Sequence, residues 1–189
     1  MEKLLAEIRA CTFCENQLPL GPNPVVFANQ KAAIAIIGQA PGTKVHQSGI
    51  PWDDQSGKLL REWMELAPEQ FYNNEKIAIV PMGFCYPGKG KSGDLPPRSE
   101  CAELWHKKLM DQMPKLKLVL LIGQYSQKYY LGKNMKTTLT ETVANFEDYG
   151  ALYFPLPHPS PRNRIWLKRN LWFDEINIPE LRKRLKTIL

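Results

Sequence analysis

Four short, continuous runs of apolar residues stand out along the chain, at residues 33–37, 77–80, 118–122 and 152–156. Strands of a parallel sheet are covered on both faces, so they are apolar throughout instead of alternating between polar and apolar positions. We therefore predict that these four segments are buried strands and that most of them pair in parallel.

Between these runs, apolar residues recur at the spacing of three and four that is typical of amphipathic helices. The pattern is found at residues 59–64, 101–113 and 126–131, and near the two ends of the chain at 4–8 and 181–185. Strand and helix therefore alternate, which predicts an α/β fold: a three-layer α/β/α sandwich with a central four-stranded, mostly parallel sheet. The ligand site of such a sheet lies at the carboxyl ends of its strands.

Length and composition agree with one globular unit. The chain has 189 residues, of which 43% are hydrophobic and 23% charged, so we expect a single domain over residues 1–189. Its longest apolar run falls far short of the roughly 20 residues that span a bilayer. The first seven residues include two acids and no apolar segment of the kind found in secretion signals. We expect a cytoplasmic protein without a membrane partner.

The positive charge is concentrated near the C-terminus. The formal net charge is +6, and residues 161–189 contribute +5 of it, from eight Lys or Arg and three acids. A basic segment suits a polyanion such as DNA, because neutralised phosphates release counterions. The basic residues between 162 and 169 lie close to two tryptophans, Trp166 within the segment and Trp172 just after it. We interpret this segment as facing nucleic acid. Residues 182–186 are interpreted as the solvated face of a helix.

Four cysteines suggest a metal site. Cys11 and Cys14 form a Cys-x2-Cys pair, and Cys85 and Cys101 follow singly. Cytosolic thiols stay reduced, which disfavours disulfides. Four thiolates can hold a [4Fe–4S] cluster or zinc. Zinc sites more often have two Cys-x2-Cys pairs, so the split second pair favours the cluster. The alternative is four unrelated cysteines that pack as small hydrophobic residues.

The first predicted strand runs into a tight loop made of Gly38, Gln39, Ala40, Pro41 and Gly42. The glycines allow the backbone to approach a ligand closely, and the proline stiffens the turn. The loop matches neither a nucleotide phosphate loop nor a dinucleotide-binding fingerprint. Downstream, Trp52 lies beside polar residues, where it could stack on a flat ring or belong to the core.

A second unusual loop follows the fourth predicted strand. Prolines at 157, 159 and 161 surround His158 and fix the backbone so that the imidazole is presented rigidly. We interpret His158 as functional, since it lies at the carboxyl end of a strand and just before an arginine-containing segment. His106, within a predicted helix, is interpreted as structural, and the role of His46 stays open.

These two loops and the four cysteines together resemble the uracil-DNA glycosylase superfamily. The likeness is closest to the iron–sulfur branch, family four, and to a little-characterised bacterial group, and it covers residues 11–172. The resemblance implies a DNA-repair hydrolase that flips a damaged base out of single- or double-stranded DNA and cuts its N-glycosidic bond. It also implies a structural [4Fe–4S] cluster, and we expect the protein to be a monomer.

The resemblance suggests a role for each motif residue. The catalytic group is Gln39, Ala40 and His158, to which we add Asp53 as a water-activating carboxylate. Base binding is expected from Gly38, Pro41, Gly42 and Trp52. DNA contacts are expected from Ser160, Pro161, Arg162 and Arg164. The cluster ligands would be Cys11, Cys14, Cys85 and Cys101.

The chain departs from the family-four pattern in three places. Gln39 replaces a glutamate, Val45 and His46 replace an acid pair, and Pro81 replaces the uracil-reading asparagine. Because Gln39 cannot accept a proton, Asp53, Asp54 or His46 would have to activate water. The alternative functions are a nucleic-acid-binding module that does not catalyse and, less well supported by the basic tail, a hydrolase of free nucleosides.

Overall fold

The computed structural model describes residues 1–91 and 93–189. Within them, a four-stranded sheet consists of β1 (Ile34–Ile37), β2 (Ile77–Ile79), β5 (Leu118–Ile122) and β6 (Tyr153–Leu156), with a separate antiparallel hairpin of β3 (Lys89–Gly90) and β4 (Gly93–Asp94). The strand order of the sheet is β2-β1-β5-β6, and its neighbouring strands pair in parallel. The predicted sheet is confirmed.

Helices cover the sheet on both sides. In chain order they are α1 (Glu2–Arg9), α2 (Thr43–Ser48), α3 (Gln55–Met64), α4 (Pro68–Phe71), α5 (Ser99–Cys101), α6 (Lys107–Asp111), α7 (Gln124–Leu131), α8 (Leu139–Ala144), α9 (Arg164–Arg169) and α10 (Ile178–Ile188). One π-helical turn, Ala102–His106, joins α5 to α6, and another, Phe173–Asn177, precedes α10. Short 3₁₀ turns occur at Glu15–Gln17, Gly132–Asn134, Phe146–Tyr149 and Pro161–Asn163.

The sheet separates two hydrophobic clusters, because successive side chains of a strand point to opposite faces. In β1, Ala35 and Ile37 belong to the cluster covered by α1, the helical segment 99–111 and α7. Ile34 and Ile36 belong to the cluster covered by α3, α8 and α10. Both faces of the central strands are therefore buried, which explains their uninterrupted apolar sequence and confirms the three-layer α/β/α sandwich.

The loops at the carboxyl edge of the sheet are held by backbone hydrogen bonds. The amides of Met82 and Gly83, after β2, donate to the carbonyls of Gly38 and Gln39, after β1, each at 2.9 Å. These bonds extend the β1–β2 pairing beyond the strands and fix the glycine-proline loop. Among the described residues, no helix combines the length and apolar character needed to cross a membrane.

Candidate active site

The loops after β1 and β6 meet in one pocket at the carboxyl edge of the sheet. The space between its walls, counted together with the solvent at its mouth, is about 440 Å³. Of the residues predicted for catalysis and base binding, its walls include Gly38, Gln39, Ala40, Pro41, Gly42, Trp52 and His158. Residues far apart in the sequence thus share one cavity, as the topology of a parallel sheet predicts.

Trp52 forms one side of this pocket and lies beside His158. The two ring centroids are 5.7 Å apart, with an angle of 35° between the planes. The indole also approaches Gly38 so closely that a Cβ at that position would lie 2.8 Å from Cζ2 of Trp52. Glycine at 38 therefore leaves room for the aromatic wall, which is half-buried and available to a ligand.

The backbone around Trp52 is in an uncommon conformation that neighbouring side chains stabilise. Trp52 has φ 59°, in the left-handed region that non-glycine residues seldom adopt. Its carbonyl accepts a hydrogen bond from Nη1 of Arg61 at 3.3 Å, and the Tyr72 hydroxyl donates to the Pro51 carbonyl at 3.0 Å. Gly57 packs against the same carbonyl, and any Cβ there would lie only 1.8 Å from its oxygen.

His158 is fixed by its own loop. Its carbonyl accepts hydrogen bonds from the Ser160 amide at 2.8 Å and from Nδ2 of Asn163 at 2.7 Å. Burial lowers the pKa of the imidazole, and the negative charge of Asp54 partly opposes this shift. The ring is therefore neutral near pH 7 and has one N–H to donate.

Gln39 connects the pocket to the β3–β4 hairpin. Its Nε2 donates to the Leu95 carbonyl at 3.2 Å, so this side chain anchors the segment that follows β4. An amide at this position can orient a ligand or the hairpin, but it cannot take a proton from water. A proton acceptor in this pocket would have to be another residue.

The two adjacent aspartates differ in position. Asp53 is exposed and is not among the described residues that line the pocket, whereas Asp54 is half-buried and does line it. Asp54 is also the N-cap of α3, because its Oδ1 accepts a hydrogen bond from the Gly57 amide at 2.8 Å. The sequence carried a signal for this arrangement, since an aspartate directly before a helix is a preferred N-cap.

A groove continues from the pocket between the His158 loop and the hairpin. Ser160 and Arg162 line it together with Lys89 and Asp94. Arg162 lies against the hairpin, since a Cβ on Gly93 would be 2.9 Å from its Nη1. Pro161 begins the 3₁₀ turn and Arg164 begins α9, and neither is among the described residues that line the groove.

The tryptophans near this loop do not reach out to a partner. Trp166 and Trp172 are 5.7 Å apart at their centroids and pack against the cluster on the α3 and α10 side of the sheet. Trp166 also donates from Nε1 to Oγ1 of Thr140 at 2.8 Å. Exposed apolar side chains of this region are instead Ile165 and Leu171, at 66% and 61% exposure.

The thiols of Cys11, Cys14 and Cys85 interact electrostatically with that of Cys101. Cys14 and Cys85 are in contact in a small buried cluster. Burial raises the pKa of the Cys101 thiol to about 12, and repulsion from Cys85, Cys14 and Cys11 adds to the shift. The guanidinium of Arg98 donates to Cys14, which opposes the rise that burial causes in its pKa.

Such a set of mutually close thiols suits a group that binds thiolates and supplies positive charge. Across residues 1–91 and 93–189, no trio of His, Cys, Asp or Glu side chains is arranged so that it could hold a metal ion. The four thiols are all unpaired by disulfides.

Comparison with known proteins identifies the family. Residues 25–182 match the uracil DNA glycosylase superfamily. The chain belongs to this superfamily. It is also similar to the "Type-4 uracil-DNA glycosylase" of Sulfurisphaera tokodaii, with 24% identity over 176 residues that cover 85% of this chain and 74% of the relative. The resemblance predicted from the two loops and the cysteines is confirmed. Cys11 and Cys14 precede the part that matches the superfamily.

A feature of the pocket that sequence reasoning missed is the support behind Pro81. This proline, which replaces the asparagine of the family-four pattern, lines the pocket. Its carbonyl is 2.9 Å from Nε2 of His106, and Nδ1 of the same ring is 2.8 Å from the Tyr130 hydroxyl. His106 is completely buried, which agrees with the structural role predicted for it. It fixes the backbone of a residue that lines the pocket.

Proposed function

We propose that the protein is a DNA-base N-glycosylase, with uracil as the first base to test. The observation that carries the proposal is the common pocket of the loops after β1 and β6, in a chain that belongs to the uracil DNA glycosylase superfamily. The named activity of the Sulfurisphaera relative supports the same function. The substrate would be a nucleotide extruded from DNA, because a base within the duplex stack cannot enter a pocket.

The pocket residues fit the demands of N-glycoside cleavage. Trp52 would stack on the extruded base while the backbone of Gly38, Pro41 and Gly42 surrounds its edge. The bond to the sugar breaks with its electron pair on the base, so the departing base becomes an anion. His158, neutral and rigidly held, would donate a hydrogen bond to that anion as it forms.

The roles of Gln39 and Ala40 follow from the same geometry. Ala40 is half-buried and leaves space in the pocket wall, and Gln39 joins this wall to the hairpin through its bond to Leu95. We propose that both shape the cavity in which water approaches the sugar. The proton of that water needs a carboxylate, and Asp53, predicted from the sequence, is less well situated for it than Asp54.

DNA would lie along the groove that leaves the pocket. Ser160 and Arg162 line this groove, and Pro161 and Arg164 adjoin them in the turn that leads into α9. Arginines beside the opening would contact phosphates and offset the cost of unstacking, which is about a few kcal/mol.

The four cysteines are proposed to hold a structural [4Fe–4S] cluster, with zinc as the alternative. Cys11, Cys14, Cys85 and Cys101 tie the N-terminal segment to the loop after β2 and to the start of the helical segment 99–111. A bound cluster would crosslink these segments and so stabilise the loop that carries Pro81. Its contribution would be to the fold and not to the reaction at the sugar.

A single-turnover assay tests the proposal. Single- and double-stranded oligonucleotides that contain uracil, hypoxanthine or another damaged base are incubated with the protein and then treated with alkali, which cuts at abasic sites. We expect cleavage for at least one base and a decrease of about 10²–10³-fold in the His158→Ala variant. Glu69→Gln, at an exposed residue of α4, serves as the control. If none of these oligonucleotides is cleaved, the proposed glycosylase activity is rejected.

A second function is favoured by two observations. Gln39 is occupied by the Leu95 carbonyl, and Pro81 offers no side-chain donor to a base. A module that binds nucleic acid without catalysis would tolerate both. It predicts salt-dependent binding of DNA without turnover. If the wild-type protein cleaves a substrate and His158→Ala does not, this alternative is excluded.

A further inference from the structure

Asp54 has a position in the site that the family pattern does not account for. It is half-buried and lines both the base pocket and the groove that leaves it. A carboxylate at this junction adjoins the place where the extruded nucleotide would pass from the groove into the pocket. The sugar, which links the base to the DNA backbone, would lie at that same junction.

The carboxylate of Asp54 is held rigidly. Its Oδ1 accepts the hydrogen bond from the Gly57 amide at 2.8 Å, which fixes the side chain to the first turn of α3. The preceding backbone is restrained by the bonds of Arg61 and Tyr72 and by the left-handed conformation of Trp52. A backbone strained and clamped in this way is typical of functional sites, where it positions a reactive group.

The charges around Asp54 agree with a catalytic position. Asp54 and His158 both line the pocket and the groove, and the negative charge of Asp54 acts on the imidazole. Asp94, across the groove, feels repulsion from Asp54 and attraction from Arg162 and Lys89. Lys89 and Arg162, the cations that would bind phosphate, line the same groove as Asp54.

We propose that Asp54 is the catalytic base of the glycosylase reaction, an inference that rests on the proposed function. The oxygen of a water molecule forms a bond to the anomeric carbon of the sugar, and its proton passes to the Asp54 carboxylate. The N-glycosidic bond breaks, and its electron pair leaves with the base. His158 donates a hydrogen bond to the resulting anion, and before it takes the proton the Asp54 carboxylate also stabilises the positive charge that develops on the sugar.

The test compares Asp54→Asn with wild type under single-turnover conditions. Asparagine is as good an N-cap as aspartate, so the helix is retained while the proton acceptor is lost. We expect the rate of the chemical step to fall by about 10²–10⁴-fold. Binding of DNA, measured with a fluorescent oligonucleotide, is expected to stay the same or strengthen, because a negative charge near the phosphates is removed. The melting temperature should be unchanged.

Three further variants make the result decisive. Asp54→Ser keeps a capping oxygen without a carboxylate and replaces Asp54→Asn if that variant is unstable. Asp53→Asn tests the competing neighbour, and Glu69→Gln is the control for removal of an exposed carboxylate. A folded Asp54 variant with the wild-type rate, or a loss confined to Asp53→Asn, would overturn this inference alone. Lack of turnover by wild type on every substrate would overturn the proposed function and this inference with it.

Discussion

At the residue scale, the pocket depends on one tryptophan in an unfavourable conformation. A left-handed φ at a bulky residue costs about 1–3 kcal/mol, which the surrounding contacts have to offset. Here the contacts come from Arg61, Tyr72 and Gly57, all of which act on the backbone of residues 51 and 52. The sequence indicated that Trp52 was near a ligand site, but the strain depends on residues that meet only in the folded chain.

Substitution of Gly57 by alanine should destabilise the protein. In a helix this change ordinarily stabilises by about 0.5–1 kcal/mol, because glycine is entropically costly. Gly57 is in α3, but a Cβ there would be 1.8 Å from the Trp52 oxygen, so the loop has to move. We expect a loss of about 1–3 kcal/mol in the free energy of unfolding, measured with urea. An increase in stability would contradict the contact.

Substitution of His106 by glutamine should change the response of stability to acid. Burial lowers the pKa of His106 from 6.5 to about 4 in the folded protein. Between these two pH values the unfolded chain therefore binds a proton at His106 and the folded chain does not. The stability that neutral His106 supports is complete above pH 6.5 and decreases as the pH falls, by about 3 kcal/mol at pH 4. Glutamine keeps one donor for Pro81 and one acceptor for Tyr130 but does not titrate.

The measurement is urea unfolding at several pH values between 7 and 4. Because carboxylates also titrate in this range, the prediction concerns the difference between the two proteins. The curve of His106→Gln should be shallower than that of wild type. Parallel curves would mean that the imidazole is protonated equally in the folded and unfolded states.

At the element scale, the long periodic segments could be predicted and the short irregular ones could not. Buried strands such as β5 consist only of apolar residues, so the pattern alone locates them. The β3–β4 hairpin has no such signal, because the sequence of residues 88–93 is rich in glycine and lysine and lacks alternating apolar residues. The π-helical turn that directs His106 inward has no sequence signal of its own.

The hairpin should contribute to binding of DNA through Lys89, which lines the groove beside Arg162. Each phosphate contact contributes about one unit to the slope of log affinity against log salt concentration. We expect Lys89→Ala to lower that slope by about 1, measured by fluorescence anisotropy with a single-stranded oligonucleotide. Lys183→Ala is the matched control, because this lysine is 78% exposed on α10 and pairs with Glu180. An equal change in both variants would argue against a specific contact.

The Lys183→Ala control also bears on the positive charge that is concentrated near the C-terminus. Arg182 donates to the carbonyls of Trp63 and Glu62, and Lys186 pairs with Glu65. These bonds attach α10 to the end of α3. Because Arg182 and Arg184 are half-buried, the solvated face interpreted for residues 182–186 is limited to Lys183 and Lys186. A count of charges along the sequence could not distinguish these paired cations of α10 from the cations of the groove. The groups that pair with them are more than 100 residues away in the sequence.

At the scale of the whole molecule, the meeting of two distant loops followed from topology. Parallel strands bring their carboxyl ends to one edge, so residues 38–42 and 158 were expected together even though β5 separates β1 from β6. The choice between Asp53 and Asp54 did not follow, because it depends on the turn of the backbone at Trp52. The spacing of the cysteines predicted a shared site. The fold places Cys14 and Cys85 in one small buried cluster, but among the described residues no trio of thiols is arranged to hold a metal ion.

The cysteine site gives the last prediction. If the four thiolates hold a [4Fe–4S] cluster, protein purified without oxygen should contain about four iron atoms and as many acid-labile sulfides per chain. Cys85→Ser should lose most of this iron and unfold at a lower temperature, because the crosslink between the N-terminal segment and the loop after β2 is broken. Glu15→Gln, at an exposed residue next to Cys14, should retain both. One zinc per chain in place of iron would assign the site to the alternative metal. The absence of both metals would favour four unrelated cysteines that pack as small hydrophobic residues, two of them buried and two half-buried. In each case the measurement of metal content is independent of turnover, so it separates the stability of the fold from the chemistry of the pocket.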